Sequence, residues 1–152
     1  MKRYQYILLL LLIPSLMSTK SVDQRSLGSL RFQANGQAYI ADSTHARGYA
    51  VKQTALAYIN GANSDMVIGV EWKGVKGPGI YTIDARAGKA EFTINHKSYL
   101  PAAPDDYLKV TLTSVKQQGA FLLLNGTFEG QLQDRNGSKL KITAGIFETR
   151  SL

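Results

Sequence analysis

Acidic side chains offer this chain its main route to hydrolytic chemistry. Asp105 and Asp106 are adjacent in the loop-like stretch PAAPDD, and Glu71 lies in an alternating, strand-like segment. Hydrolysis of a glycosidic bond requires two carboxyl groups about 5 to 9 Å apart across a cleft. Adjacent aspartates after a proline are more often turn residues, because aspartate bonds to its own backbone there. A weak hydrolase that uses Asp105 or Asp106 with Glu71 is therefore kept as an alternative, and no catalytic residue is predicted.

Metal ligands are few and badly spaced. His45 and His96 are far apart in the sequence, and there is no cysteine, so the close ligand spacing of a zinc site is absent. DRNGS, residues 134–138, places oxygen ligands at alternate positions. An EF-type loop would need glycine at its sixth position and glutamate at its twelfth, but the glycine comes fourth and the twelfth residue is Gly145. We predict no metal and no cofactor.

Aromatic side chains indicate a different activity, the binding of a ligand. Tyr99 and Tyr107 flank PAAPDD. Together with Trp72, Asp105 and Asp106 they are the candidate platform for a sugar or a peptide. Tyrosine and tryptophan are also favoured strand residues, so ordinary packing in the core is the competing interpretation.

The elements that must position these residues are strands. From residue 30 onward apolar and polar residues alternate, which is typical of half-buried strands. Asn35-Gly36 predicts a tight hairpin that places Phe32 opposite Tyr39. LNGTFEGQLQDRNGSKLKITAGIF, residues 124–147, predicts a two-stranded ribbon with a turn at RNGS and a bulge at Gly145. Only DSTHARGYAVKQ, residues 42–53, has no clean period and fits a loop, a short helix or an irregular edge.

These runs number eight or nine, with turn signals at short intervals and no convincing amphipathic helix. That pattern predicts an all-β fold, an antiparallel β-sandwich, with a closed or partly open β-barrel as the alternative. The chain has 152 residues and is 44% hydrophobic, which fits one domain. We place this domain at residues 30–150.

The first 21 residues have the layout of a secretory signal peptide. Two cations precede a short apolar run, a proline and several small polar residues. Cleavage after Ser18 or Ser21 would leave residues 22–29 as a linker. The apolar run is shorter than the roughly 20 residues that span a membrane, so we expect no transmembrane helix in the mature chain.

Charge and cysteine content narrow the compartment and the partners. The full chain carries a formal charge of +7. Removal of Lys2, Arg3 and Lys20 leaves 15 cations and 11 anions, a net charge of +4. These cations are scattered, without the dense patch that nucleic acid requires, so we predict no nucleic-acid partner. Without cysteine there is no disulfide and no thioether-linked lipid, which favours a bacterial periplasm or cell exterior.

Three motifs occur in a characteristic order: FQANGQAYIA, then GPGIYTI, then the stretch 124–147. In this order the chain resembles small exported domains of unknown function that are common in Bacteroidota, many of them lipoproteins. The resemblance covers most of residues 30–148. It implies an all-β domain without an established activity, and it transfers no catalytic residue. This chain departs from the lipoprotein members because it has no cysteine after the signal.

The sequence thus predicts an exported, non-catalytic domain with a binding or envelope-structural role. Its partner is an envelope protein, a glycan or a small ligand. One alternative is a carrier that holds an apolar molecule or a sugar behind Trp72 and the tyrosines. That function would require an internal cavity of several hundred cubic ångströms.

Overall fold

The computed structural model describes residues 27–152. The predicted signal peptide and residues 22–26 of the predicted linker lie outside this range. Eleven antiparallel strands account for most of the described residues, and no helix among these residues is long and apolar enough to cross a membrane. The strands are β1 (Gly28–Ala34), β2 (Gln37–Ile40), β3 (Arg47–Val51), β4 (Leu56–Ala62), β5 (Met66–Trp72), β6 (Gly79–Ile83), β7 (Gly88–Ile94), β8 (Lys97–Tyr99), β9 (Tyr107–Gln118), β10 (Phe121–Gln133) and β11 (Lys139–Thr149).

The strands form one hydrogen-bonded sheet that is folded over into two layers. The six-stranded layer has the order β6-β9-β10-β11-β1-β2, and the five-stranded layer has the order β3-β4-β5-β7-β8. The long strand β10 joins them, because Phe121–Leu123 pair with β3 at one end and Gln133 pairs with Leu100 at the other. The terminal strands β2 and β8 each have a single neighbour. The sheet is therefore open, and the predicted antiparallel sandwich is confirmed rather than the closed barrel.

The first hairpin has the predicted turn and the predicted register. Asn35 and Gly36 have φ angles of 49° and 85°, the pair of positive values that a two-residue turn of this hand requires. Phe32 lies opposite Tyr39, and their rings stack with centroids 5.4 Å apart. Short-range turn chemistry was sufficient to fix both features.

The second hairpin, β10–β11, also follows the prediction, with one shift in detail. Its turn is held by Asp134, whose side-chain oxygen accepts hydrogen bonds from the backbone N–H groups of Asn136 and Ser138 at 2.9 and 2.8 Å. The extra residue of the bulge falls at residues 143–144 instead of at Gly145. Ala144 adopts the positive φ angle of 51° there, whereas Gly145 pairs with Phe128.

Residues 42–53 form a loop followed by β3, which is not an edge strand. It pairs with β4 on one side and with β10 on the other. The inward positions are Ala46, Gly48 and Ala50, which are all buried. Because these side chains are so small, the apolar period of the strand is invisible in the sequence. A Cβ atom on Gly48 would lie 2.7 Å from the Phe147 ring. The inward side chains of β3 are therefore small because Phe147 of β11 packs closely against this strand.

The core lies between the two layers and is built around aromatic rings. Phe32 of β1 meets Phe92 of β7 edge-on with centroids 5.6 Å apart, and Phe128 of β10 lies 6.0 Å from Phe92. The inward-facing Val110 and Leu112 of β9 are fully buried, as the alternation predicted. These side chains fill the space that an internal carrier would need to keep open.

Candidate functional site

The two aspartates of the predicted platform serve the fold. Asp106 is only 1% exposed. One of its oxygens accepts hydrogen bonds from the backbone N–H groups of Ala102 and Ala103 at 3.2 and 2.8 Å, and the other binds Lys139 Nζ at 2.7 Å. Asp105 is exposed and binds Lys139 from the outside. The pair therefore fastens the PAAPDD loop to β11.

The aromatic members of the predicted platform do not share one surface. Trp72 is 3% exposed and lies in the core, with its ring centroid 6.0 Å from that of Tyr81. Its Nε1 is the one buried side-chain donor or acceptor of the described residues without a hydrogen-bond partner. Tyr99 of β8 packs against the core from the five-stranded layer, whereas Tyr107, 42% exposed, opens β9 in the six-stranded layer. The five residues named from the sequence are thus spread over both layers.

A different surface collects aromatic and polar side chains: the outer face of the five-stranded layer. Its strand register places outward-facing residues in rows that run across β3, β4, β5 and β7. The first row is Tyr49, Tyr58, Glu71 and Lys89; the second is Arg47, Asn60, Gly69 and Glu91; the third is Ala62, Val67 and Thr93.

Gly69 has no side chain and leaves a gap in the middle row. Its backbone forms the floor of a cavity of about 620 Å³. A Cβ atom on Gly69 would have no heavy atom within 4 Å outside its chain neighbours, so the space above it is open. We call this cavity the Gly69 pit. Its outward-facing side chains are Tyr58, Asn60, Val67, Glu71, Lys89, Glu91 and Thr93.

One wall of the pit is an aromatic ring held in place from behind. The rings of Tyr58 and Tyr49 stack with centroids 5.1 Å apart and an interplanar angle of 25°. Tyr49 is in turn met edge-on by Phe121 at 6.0 Å, and the Arg47 guanidinium lies 5.5 Å from its centre. Because Tyr49 covers one face of Tyr58, the other face is directed towards Glu71 and the pit.

Most polar groups of the pit are not used by the fold; the exception is the Thr93 hydroxyl, which shares a hydrogen bond with Ser98 Oγ at 3.0 Å. Among the described residues, no hydrogen bond or ion pair engages the carboxylates of Glu71 and Glu91 or the side-chain amide of Asn60. Partial burial, followed by the charges of Glu71 and Tyr49, raises the pKa of Tyr58 above its ordinary value of 10.0. A tyrosine phenol is protonated at neutral pH even at its ordinary pKa, so the Tyr58 hydroxyl can donate a hydrogen bond.

Sequence reasoning missed this site although part of its signal is visible. TALAYINGANSDMVIGVEW, residues 54–72, alternates through Leu56 and Tyr58 and then through Met66, Ile68, Val70 and Trp72, which predicts two strands joined at NGANS. In the structure the buried positions of the first strand are Ala57, Ile59 and Gly61, so Tyr58 and Asn60 face outward beside Gly69 and Glu71. The predicted pairing of these strands is confirmed, but their turn lies at residues 63–65, after NGA. The register of β4 with β5 brings Gly69 beside Asn60, and the pairing of β5 with β7 brings Glu91 to the other side of Gly69. Neither register could be read from the sequence.

The hydrolase alternative named Glu71 as the partner of the aspartates. Glu71 lines the Gly69 pit on the five-stranded layer, and neither Asp105 nor Asp106 lines that cavity. Asp106 is covered and bonded as described above. The described structure thus provides no shared cleft for these three carboxylates.

Comparison of the chain with protein-family models, with curated proteins and with solved structures finds no match. The assignment of a site in this protein therefore depends on its own geometry.

Proposed function

We propose that this protein is an exported, non-catalytic binding domain that holds its ligand in the Gly69 pit. The observation that carries the proposal is the gap at Gly69 in an otherwise occupied face, bordered by the ring of Tyr58 and by Asn60, Glu71 and Glu91, whose polar groups have no hydrogen-bond or ion-pair partner within residues 27–152. Ligand sites typically combine apolar and aromatic lining with a few well-placed polar groups.

The position of the pit supports the same conclusion. Its lining residues stand on β4, β5 and β7, the paired strands of one layer. Side chains on such a scaffold are more rigidly placed than those on loops, which lowers the entropy that is lost when a ligand binds. An internal carrier has no comparable support, because the space between the layers is filled by side chains such as Phe32, Phe92 and Phe128.

The proposal is tested by locating where small probes bind. The purified, ¹⁵N-labelled protein is titrated with a panel of neutral methyl glycosides, primary amines, carboxylates and short peptides while its amide resonances are followed. We expect panel members that bind to shift the amides of Tyr58, Asn60, Gly69 and Glu91. A panel without any binder, or binders that shift only other amides, would refute the proposal.

Two variants make this test specific. Gly69→Ile places a branched side chain that suits a strand on the floor of the pit, and the open space above Gly69 accommodates it. Thr127→Ile adds the same side chain to an exposed position of β10 in the other layer and is the matched control. We expect Gly69→Ile to abolish the binding that Thr127→Ile retains, with both variants folded.

A further inference from the structure

The chemistry of the pit narrows the ligand to one class. On the basis of the proposed function, we infer that the Gly69 pit binds a neutral sugar ring of a glycan. The ring stands against Tyr58, and its hydroxyl groups bond to Asn60, Glu71 and Glu91.

The wall suits a flat ligand with an apolar face. The free face of Tyr58 is directed into the pit, and the stacked Tyr49 prevents it from turning away. A pyranose ring has a face made of C–H groups, which packs on such an aromatic surface, while its hydroxyl groups point outward around the ring. An aromatic ring that is fixed before binding loses little rotational freedom when the ligand arrives.

The polar side chains of the pit suit a ligand with hydroxyl groups better than a ligand with a positive or a negative charge. Glu71 and Glu91 only accept hydrogen bonds, Lys89 only donates, and the Asn60 amide does both. A hydroxyl group donates and accepts, so it can satisfy every one of them. An ammonium ligand would leave the Lys89 side chain facing a like charge, and an anionic ligand would face two carboxylates. An apolar ligand would bury these charged groups without partners, at a high cost in desolvation.

The strand pairing argues against an extended peptide. Peptides commonly bind to a sheet by adding a strand to a free edge. β4 and β5 are paired on both sides, β4 with β3 and β5, and β5 with β4 and β7, whereas β7 pairs with β5 along its length and with β8 only at Phe92–Ile94. A peptide strand could therefore pair only with the Gly88–Glu91 edge of β7, at the border of the pit. The floor at Gly69 offers no free backbone edge, and binding over Gly69 must rely on side chains.

The opening of the pit allows the sugar to be part of a chain. The cavity is open to solvent above Gly69, and its volume of about 620 Å³ exceeds that of a single ring. A glycan can therefore place one unit against Tyr58 and continue across the face over Val67 and Thr93. We expect a disaccharide to bind more tightly than its single-ring methyl glycoside.

The experiment measures affinity for four classes of probe by amide-shift titration. The sugar class contains the methyl glycosides of glucose, galactose, mannose and N-acetylglucosamine and their β-linked disaccharides. The other three classes are represented by agmatine, benzoate and trialanine. We expect at least one glycoside to bind at the pit and the other three probes not to bind there. Tyr58→Leu and Glu91→Ala should each weaken glycoside binding about tenfold or more. Glu148→Ala replaces an exposed glutamate of the other layer; it is the matched control and should leave the affinity unchanged. Tyr107→Leu tests the platform that the sequence predicted, and a loss of affinity there would place the sugar beside PAAPDD.

The outcomes separate this inference from the proposed function. If agmatine, benzoate or trialanine shifts the pit amides and no glycoside does, the sugar assignment is wrong and the pit remains a binding site. If nothing in the panel shifts the pit amides, both fail. If a glycoside binds but Tyr58→Leu and Glu91→Ala keep the affinity of the wild type, or Tyr107→Leu loses as much affinity as they do, the sugar lies elsewhere and the assignment to the pit is wrong.

Discussion

The outer faces of the two layers carry similar side chains but use them differently. On the six-stranded layer Lys109 pairs with Glu129, and Lys139 bridges Asp105 and Asp106. On the five-stranded layer Glu71 and Glu91 have no such partners among the described residues. The charged residues of these two clusters are thus engaged with each other and with the PAAPDD loop, whereas Glu148, exposed on the same face, has no ion-pair partner among the described residues. Glu71 and Glu91 are free of ion pairs within residues 27–152, as the proposed ligand site requires.

The glycines of the two layers show the same contrast. Gly126 of β10 is pressed against β9, and a Cβ atom there would collide with the carbonyl oxygen of Thr111. Gly69 of β5 has open space above it. Close backbone approach explains the first glycine, whereas no contact within the fold explains the second. Because the fold does not require a glycine at position 69, we attribute Gly69 to the open surface that the proposed ligand needs.

The largest effect should come from Gly126→Ala. Because the clash is with backbone of β9, it cannot be relieved by a side-chain rotation, and the two strands must separate. We expect the free energy of unfolding to fall by about 3 kcal/mol, the upper part of the range for overpacking. Urea denaturation followed by tryptophan fluorescence measures this loss.

Gly69→Ala is the matched control for that measurement. We expect its stability to equal that of the wild type or to rise slightly, since alanine restricts the unfolded chain more than glycine does. A loss at Gly69 as large as the loss at Gly126 would show that both glycines serve the fold. The contrast between the layers would then disappear.

A smaller loss should follow from Asp106→Asn. The amide keeps the shape of the side chain but removes the charge that Lys139 and two backbone N–H groups share. Hydrogen bonds to a buried charge contribute more than neutral ones, and we expect a loss of about 2 kcal/mol. Equal stability of Asp106→Asn and the wild type would mean that the carboxylate is not needed to anchor the loop.

The same variant should change the dependence of stability on pH. Burial of Asp106 would raise its pKa, but hydrogen bonds from Lys139, Ala103 and Ala102 outweigh it, and the pKa lies below the ordinary 3.8. A carboxylate with a depressed pKa stabilises the fold above its unfolded pKa, and this contribution is lost as the pH falls through the folded value. Between about pH 5 and about pH 2 the wild type should therefore lose more stability than Asp106→Asn.

The smallest effect should come from Glu129→Gln. The side chains of Lys109 and Glu129 are 40% and 54% exposed, and the ion pair raises the pKa of the lysine. Exposed pairs contribute little to stability because solvent screens them and both side chains lose freedom. We expect a thermal midpoint within error of the wild type. A drop as large as that of Asp106→Asn would show that this face is held together by its surface charges.

The parts of the fold that depend on neighbouring residues could be predicted from the sequence. The Asn35-Gly36 turn, the pairing of Phe32 with Tyr39 and the alternation of β9 are all local properties. The strand β3 could not be found, because Ala46, Gly48 and Ala50 give no apolar period. The pairing of β6 with β9 was not predicted either, since it joins segments separated by a loop and a further hairpin.

The candidate site depended almost entirely on such distant pairings. Asp106 looked like a possible functional acid because sequence does not show that Lys139 lies against it. Trp72 was predicted to be a platform residue because the sequence does not show that it is buried between the layers. The Gly69 pit needs three strands in one register, and a shift of one residue would turn Tyr58 to the other side of the sheet.

The order of the strands along the chain also sets when the domain can form. The strand β1 lies between β2 and β11, and β11 is the last strand of the described chain. During synthesis the five-stranded layer and β1 are complete long before β10 and β11, the strands that cover them. Contacts between such distant segments fold slowly. Under the export proposed above, a chain that crosses a membrane unfolded would benefit from this delay, because the native sandwich cannot close until β11 has been made.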